Sequence, residues 1–160
     1  KKRMLKAMKD SRVGSFGVLA LFIFSSIQLA SIIRIDDRLI FSLPICLFWG
    51  RFSTLIYIEK FKYISYKSKT LSHKKYWRGL TKEAFLPILF LMIIIIYNFS
   101  TSDSYQEIIK HLSILLISLF CSFKVPQILG NKIGGFNGDT CGACIIMCET
   151  ILLLIHAIFH

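Results

Sequence analysis

The sequence lacks the motifs that mark most soluble catalytic folds. It has no Walker motif, no GxSxG motif and no adjacent nucleophile and base, and its four histidines are scattered. No basic–aromatic motif of an RNA-binding domain is present, so nucleic acid is not expected as a partner. These absences argue against a P-loop nucleotide hydrolase and against a hydrolase of the triad type.

Acidic residues are scarce, and the chain as a whole is very apolar. Nine Asp and Glu stand against 20 Lys and Arg, which gives a net charge of +11 in 160 residues. Hydrophobic residues make up 54% of the chain, too large a share for a soluble domain of this size. Because the basic residues lie between apolar runs, we interpret them as the flanks and loops of an integral membrane protein.

Long uncharged runs predict an all-α fold, a polytopic transmembrane helix bundle. Each run approaches the roughly 20 residues that a helix needs to cross a bilayer. We therefore expect residues 1–160 to form a single integral membrane domain, the C-terminal part of a longer one. Five spans are predicted near 13–33, 39–58, 84–100, 111–129 and 143–159.

The distribution of Lys and Arg predicts how the spans are oriented. The N-terminus and the loops 59–83 and 130–142 fall on one side and carry fifteen Lys and Arg, whereas the opposite side carries three. The positive-inside rule then places these three segments in the cytoplasm. We expect a multi-pass protein of the cell inner membrane, in contact with lipid, whose active site faces the cytoplasm.

Loop 59–83 combines eight Lys and Arg with five aromatic residues, Phe61, Tyr63, Tyr66, Tyr76 and Trp77. This composition is typical of an interfacial helix that lies on an anionic membrane surface. A second interpretation, steering of a phosphate-bearing substrate, also remains open.

A glycine-dense turn near residue 134 precedes the last span. It contains Gly134, Gly135 and Gly138 and is followed by Asp139. Glycines permit positive φ and a close approach of the backbone to a ligand. Asp139 has two interpretations that stay open: it caps the helix that follows, or it holds a divalent cation against phosphate oxygens.

Two charged residues are predicted inside spans, where charge is costly. Arg51 requires an anionic partner, so it binds an anion of the substrate, forms a structural ion pair or extends towards the surface. Glu149 is expected about one turn inside the fifth span, either in a contact between helices or as a site carboxylate.

Cys141, Cys144 and Cys148 form one stripe at helical spacing. Three thiolates are a partial zinc set, but no fourth Cys or His lies close in the sequence. We interpret them as small packing residues.

Two separated segments resemble the signatures of a known family. MKDSRVGSFGVLAL, from Met8 to Leu21, and GGFNGDTCGA, from Gly134 to Ala143, resemble the two signatures of the cobalamin-5′-phosphate synthases. These enzymes are also called adenosylcobinamide-GDP ribazoletransferases. The pair Gly50–Arg51 resembles a Gly-Arg pair in one of the family's middle spans, and the order of the segments is the family's order.

The resemblance implies a membrane enzyme that uses Mg²⁺. Such an enzyme joins adenosylcobinamide-GDP to α-ribazole or its 5′-phosphate and releases GMP. It implies catalytic roles for Asp139, Arg51 and Glu149, and metal binding by Asp139 and Asp10. The residues expected to bind substrate are Lys9, Asp10, Ser11, Arg12, Gly134, Gly135, Asn137 and Gly138.

The chain departs from the family pattern in two places. The family has an acidic segment of the form DGLADTADG before the first signature, with the expected main metal ligands, and this chain begins after it. Ile146 also stands where many members carry a Glu. A CDP-alcohol phosphotransferase, a transporter or a non-catalytic membrane subunit are the alternatives, and homo-oligomer formation is left open.

Overall fold

The computed structural model describes residues 14–64, 77–100 and 104–159. In this part of the chain five helices are long and apolar enough to cross a membrane. The predicted all-α bundle of five spans is therefore confirmed. A 3₁₀ turn at Asp36–Arg38 joins the first two helices, which are α1 (Ser15–Ile35) and α2 (Leu39–Lys60). The other helices are α3 (Leu80–Ser100), α4 (Tyr105–Ile133) and α5 (Gly138–Phe159).

Four helices, α2 to α5, are longer than the apolar runs predict. α4 continues past Pro126 to Ile133, and α5 begins at Gly138 rather than near residue 143. Apolar runs report only the part of a helix that lies in hydrocarbon, whereas polar residues extend the helices beyond it. A proline within a transmembrane helix is tolerated where neighbouring groups satisfy the freed carbonyl.

Helices α2 and α5 form the centre of the bundle. α2 packs against α3, α4 and α5, while α5 packs against α1, α2 and α4. The contact between α2 and α5 is antiparallel and close because small side chains line it. Ser53 Oγ lies 3.4 Å from Cys144 Sγ, and Cys148 Sγ lies 3.8 Å from the carbonyl oxygen of Trp49. Cys144 and Cys148 are thus small packing residues, as predicted.

Helices α1 and α3 lie at the periphery and expose most of their apolar side chains. α1 is attached to α5 by polar contacts as well as by packing. Gln28 Nε2 donates to Thr150 Oγ1 at 2.8 Å, and Arg34 Nε donates to the carbonyl oxygen of Ala157 at 2.8 Å. These two contacts run in the same order along both helices, so α1 and α5 are parallel.

The basic loop is described only at its two ends. After α2 the chain is extended, and Tyr63 forms an isolated parallel β-bridge with Phe136. Trp77 Nε1 donates to Glu59 Oε2 at 2.6 Å, so the two ends of the loop are joined. The predicted interfacial helix falls mainly on residues 65–76, which lie outside the described residues.

Candidate functional site

The turn between α4 and α5 is fixed against the chain that leaves α2. Gly134 ends α4 with φ of 89°, and its N–H donates to the carbonyl oxygen of Gly130 at 2.7 Å. Phe136 N donates to Lys62 O at 2.9 Å, and Ile64 N donates to Phe136 O at 2.8 Å.

Gly135 has a packing role in this turn. A Cβ at this position would overlap the carbonyl oxygen of Lys62 and the side chain of Ile64. A glycine is therefore required here by the close approach of two backbone segments, and no ligand is needed to explain it.

Asn137 caps the first turn of α5, so the cap is not Asp139. Asn137 Oδ1 accepts from the N–H of Thr140 at 2.9 Å, and Thr140 Oγ1 accepts from the N–H of Asn137 at 2.8 Å. This reciprocal pair is the arrangement of a capping box. Asp139 is left exposed in the first turn, next to Gly138, where an added Cβ would meet nothing within 4 Å.

Arg51 and Glu149 form an ion pair between α2 and α5. Arg51 Nη1 lies 2.8 Å from Glu149 Oε1 and also donates to the carbonyl oxygen of Leu47 at 3.1 Å. The side chain of Arg51 is 63% exposed and that of Glu149 is 13% exposed. Gly50 makes this contact possible, because a Cβ there would overlap the Glu149 side chain.

The ion pair lies deep in the bundle. Glu149 follows the first residue of α5 by eleven positions, or about 16 Å along the helix. Arg51 precedes the end of α2 by nine positions, or about 13 Å. The predicted site residues that the structure describes thus lie at two positions along the bundle. Asp139 and the glycine turn are at one end, and the Arg51–Glu149 pair is near the middle.

The remaining predicted site residues, Lys9, Asp10, Ser11 and Arg12, lie outside the described residues. Within the described residues, no three His, Cys, Asp or Glu side chains converge as a metal site would require. Asp139 therefore stands as a single carboxylate there, and a partner from residues 1–13 stays a prediction.

Sequence reasoning missed two residues that shape the turn. Thr140 completes the cap, and the pattern Asn137-x-x-Thr140 resembles a capping box closely enough to have signalled it. Tyr57 donates a hydrogen bond to Gly135, but 78 positions separate the two residues. No local pattern could have indicated that contact.

Comparison with known proteins identifies the family of the chain. The family model described as cobalamin-5-phosphate synthase matches residues 1–157. A protein of Prochlorococcus marinus named adenosylcobinamide-GDP ribazoletransferase is 31% identical over 157 residues, which are 98% of this chain and 61% of the relative. Proteins of the same name from Synechococcus elongatus and Listeria monocytogenes are 26% and 29% identical, over 94% and 89% of this chain and 58% and 54% of their own lengths.

The chain therefore spans about 61% of the length of the first of these relatives. No solved structure matches it. The match of the family model over nearly the whole chain is supported by two signatures in order and by five apolar helices. The chain belongs to the cobalamin-5-phosphate synthase family.

Proposed function

We propose that this chain forms part of an adenosylcobinamide-GDP ribazoletransferase. The enzyme joins adenosylcobinamide-GDP to α-ribazole or its 5′-phosphate and releases GMP. Membership in the family supports the reaction. The single structural observation that carries the proposal is the free carboxylate of Asp139, which is exposed beside the glycine turn because Asn137 already caps α5.

The reaction transfers a phosphoryl-linked group to a hydroxyl nucleophile. Such a transfer depends more on neutralising phosphate charge and on orienting the reactants than on a covalent intermediate. The N–H groups of Gly138 and Asp139 lie in the first turn of α5, where no helical carbonyl is available to them. They can donate to a phosphate oxygen, and the helix dipole favours an anion at this end.

Mg²⁺ is the proposed cofactor, and the described residues fit one part of its usual environment. The ion is commonly held by one or two carboxylates together with substrate phosphates and water. Asp139 supplies an exposed carboxylate that the cap does not use, and Asp10 is the proposed second ligand. A bound Mg²⁺ would neutralise phosphate charge, while Lys9 and Arg12 would bind further phosphate oxygens.

Arg51 and Glu149 have a separate role in the proposal. Arg51 Nη1 donates to Glu149 and to the carbonyl oxygen of Leu47, while the guanidinium as a whole carries five donors and is largely exposed. We assign its remaining donors to an anionic group of the substrate that reaches deeper than Asp139. Glu149 orients Arg51 through the ion pair, and it is also the candidate acceptor of the ribazole hydroxyl proton.

The proposed site faces the cytoplasm of a cell with this protein in its inner membrane. The basic loop and the glycine turn lie at the same end of the bundle, since Tyr63 pairs with Phe136. The positive-inside rule assigns the end that carries more Lys and Arg to the cytoplasm.

The test of this function is product formation by Asp139→Asn in membranes that contain the complete protein. Asparagine keeps the size of the side chain and loses the charge that a cation requires. We expect the variant to lose activity, or to need a several-fold higher Mg²⁺ concentration for its half-maximal rate. The matched control is Asp36→Asn, an exposed position at the other end of the bundle.

An unchanged maximal rate together with an unchanged Mg²⁺ midpoint would contradict a site role for Asp139. A rate that returns at high Mg²⁺ indicates a metal contact. A rate lost at every Mg²⁺ concentration, in a protein that still inserts, indicates substrate orientation or proton transfer by Asp139.

A further inference from the structure

Tyr57 connects α2 to the glycine turn by a buried hydrogen bond. Its side chain is fully buried, and its hydroxyl donates to the carbonyl oxygen of Gly135 at 2.9 Å. Tyr57 lies one turn before the end of α2, whereas Gly135 lies between α4 and α5. The Tyr57 hydroxyl thus joins α2 itself to the turn at Gly135, in addition to the two backbone hydrogen bonds between the chain after α2 and Phe136.

Aromatic packing surrounds this hydrogen bond. The Phe136 ring lies between two tyrosines, with its centroid 6.0 Å from that of Tyr57 and 5.5 Å from that of Tyr63. The Phe61 ring occupies the space next to Gly130, where a Cβ would overlap it. Aromatic contacts therefore hold the side chain of Phe136, while the Tyr57 hydroxyl binds the carbonyl oxygen of Gly135.

The turn needs such a constraint because of its own composition. Gly134 and Gly135 are both at positive φ, and two consecutive glycines leave the backbone more conformational freedom than any other pair. Asp139 follows Gly135 by only four residues. Phe136 is held by its two backbone hydrogen bonds, so the Gly135 carbonyl is the part of the turn whose orientation depends on Tyr57. A change there would displace the capping residue Asn137 and the first turn of α5.

We infer that Tyr57 is a positioning residue, which fixes the Gly135 carbonyl so that the first turn of α5 presents Asp139 and its free N–H groups to the substrate. This inference rests on the proposed function. Tyr57 does not contact the reacting atoms in this assignment, since its hydroxyl is buried and occupied by Gly135. Asp139 keeps its carboxylate when Tyr57 is altered, and bound substrate selects the productive position of the turn, so the loss falls on the apparent substrate affinity.

The variant Tyr57→Phe removes only the hydroxyl and keeps the ring among its aromatic neighbours. In the complete protein we expect the KM for adenosylcobinamide-GDP to rise about 3- to 10-fold, the ratio that corresponds to one lost hydrogen bond. We expect kcat to stay within about twofold, because saturating substrate restores the productive turn, in which Asp139 keeps its role. The control is Tyr105→Phe, at a position that is 86% exposed at the start of α4.

A second experiment measures the mobility of the turn in the absence of substrate. A nitroxide on Gly138→Cys reports local mobility, since a side chain there meets nothing within 4 Å. Cys121 and Cys141, the two cysteines that are not fully buried, are replaced by alanine in this background. Tyr57→Phe should increase the mobility of the nitroxide, and Tyr105→Phe should leave it unchanged.

Higher nitroxide mobility together with a higher KM supports the inference. Unchanged mobility, or higher mobility with an unchanged KM, overturns it. A parent enzyme that forms no product at any Mg²⁺ concentration contradicts the proposed function instead, and the nitroxide still shows whether Tyr57 holds the turn.

Discussion

At the scale of the residue, Arg51 and Glu149 show how much of a site contact can be predicted from the sequence. A charge within a span requires a partner, and this rule correctly indicates that neither side chain faces hydrocarbon alone. It does not indicate that the two are each other's partners, because 98 positions separate them. The missing information is the antiparallel register of α2 and α5, which also explains why Gly50 has no side chain at the crossing.

The exposure of Arg51 leads to a prediction about activity. We expect Arg51→Ala and Arg51→Lys to abolish product formation, because a lysine cannot reproduce a forked contact with phosphate. Glu149→Gln should retain part of the activity if the role of Glu149 is to hold Arg51, since the amide oxygen still accepts from Nη1. Turnover is measured in membranes with matched amounts of inserted protein.

The double variant Arg51→Ala/Glu149→Gln separates charge balance from substrate binding. Arg51→Ala alone leaves a largely buried carboxylate without its cation and should lower stability by about 1–3 kcal/mol. The double variant should recover most of that loss, measured by thermal unfolding in detergent, and remain inactive. Recovery of activity as well would show that Arg51 only neutralises Glu149. Normal turnover in Arg51→Ala would make Arg51 purely structural.

At the scale of elements, the apolar runs located each of the five long helices of the described residues but misplaced the helix ends near the site. The sequence suggested a fifth span from residue 143, whereas α5 begins at Gly138. Hydropathy does not record the first turn, since Gly138, Asp139 and Thr140 are not apolar. Their helical conformation follows from the cap at Asn137, and the bridge at Phe136 follows from contacts that are distant in sequence.

The cap at Asn137 gives a prediction about stability. Asn137→Ala removes the acceptor of the Thr140 N–H and should lower stability by about 1 kcal/mol. Asn137→Asp is the matched control, because aspartate is an equally good capping residue. Thermal unfolding in detergent compares the two variants. If Asn137→Asp were as unstable as Asn137→Ala, the hydrogen bond to Thr140 would not be the source of the loss.

At the scale of the molecule, composition and charge were sufficient to predict a bundle of five spans, and the resemblance of two signature segments indicated the family. They were not sufficient to predict which helices lie at its centre. α2 is less apolar than both peripheral helices and α5 is only as apolar as α1, yet α2 and α5 are the most buried. What distinguishes them is a line of small residues at their contact, including Ser53 and Cys144. This line becomes visible only when the register between the two helices is known.

The orientation of the bundle in the membrane is the last prediction. Residues 78 and 105 flank α3 on opposite sides, and both are exposed. Because fifteen Lys and Arg accumulate on the side of residue 78, we expect that side to face the cytoplasm. The measurement is labelling of Arg78→Cys and Tyr105→Cys by a membrane-impermeant maleimide, in spheroplasts and in a background without reactive cysteines.

We expect Tyr105→Cys to be labelled in sealed spheroplasts, and Arg78→Cys only after the membrane is permeabilised. Ser68→Cys, within the basic loop, should behave like Arg78→Cys. The reverse pattern would place the glycine turn and Asp139 outside the cytoplasm, since Tyr63 and Phe136 bind that turn to the same end of the bundle. A site on that side would have no access to a cytoplasmic nucleotide-linked substrate, so the experiment tests the proposed function as well as the orientation.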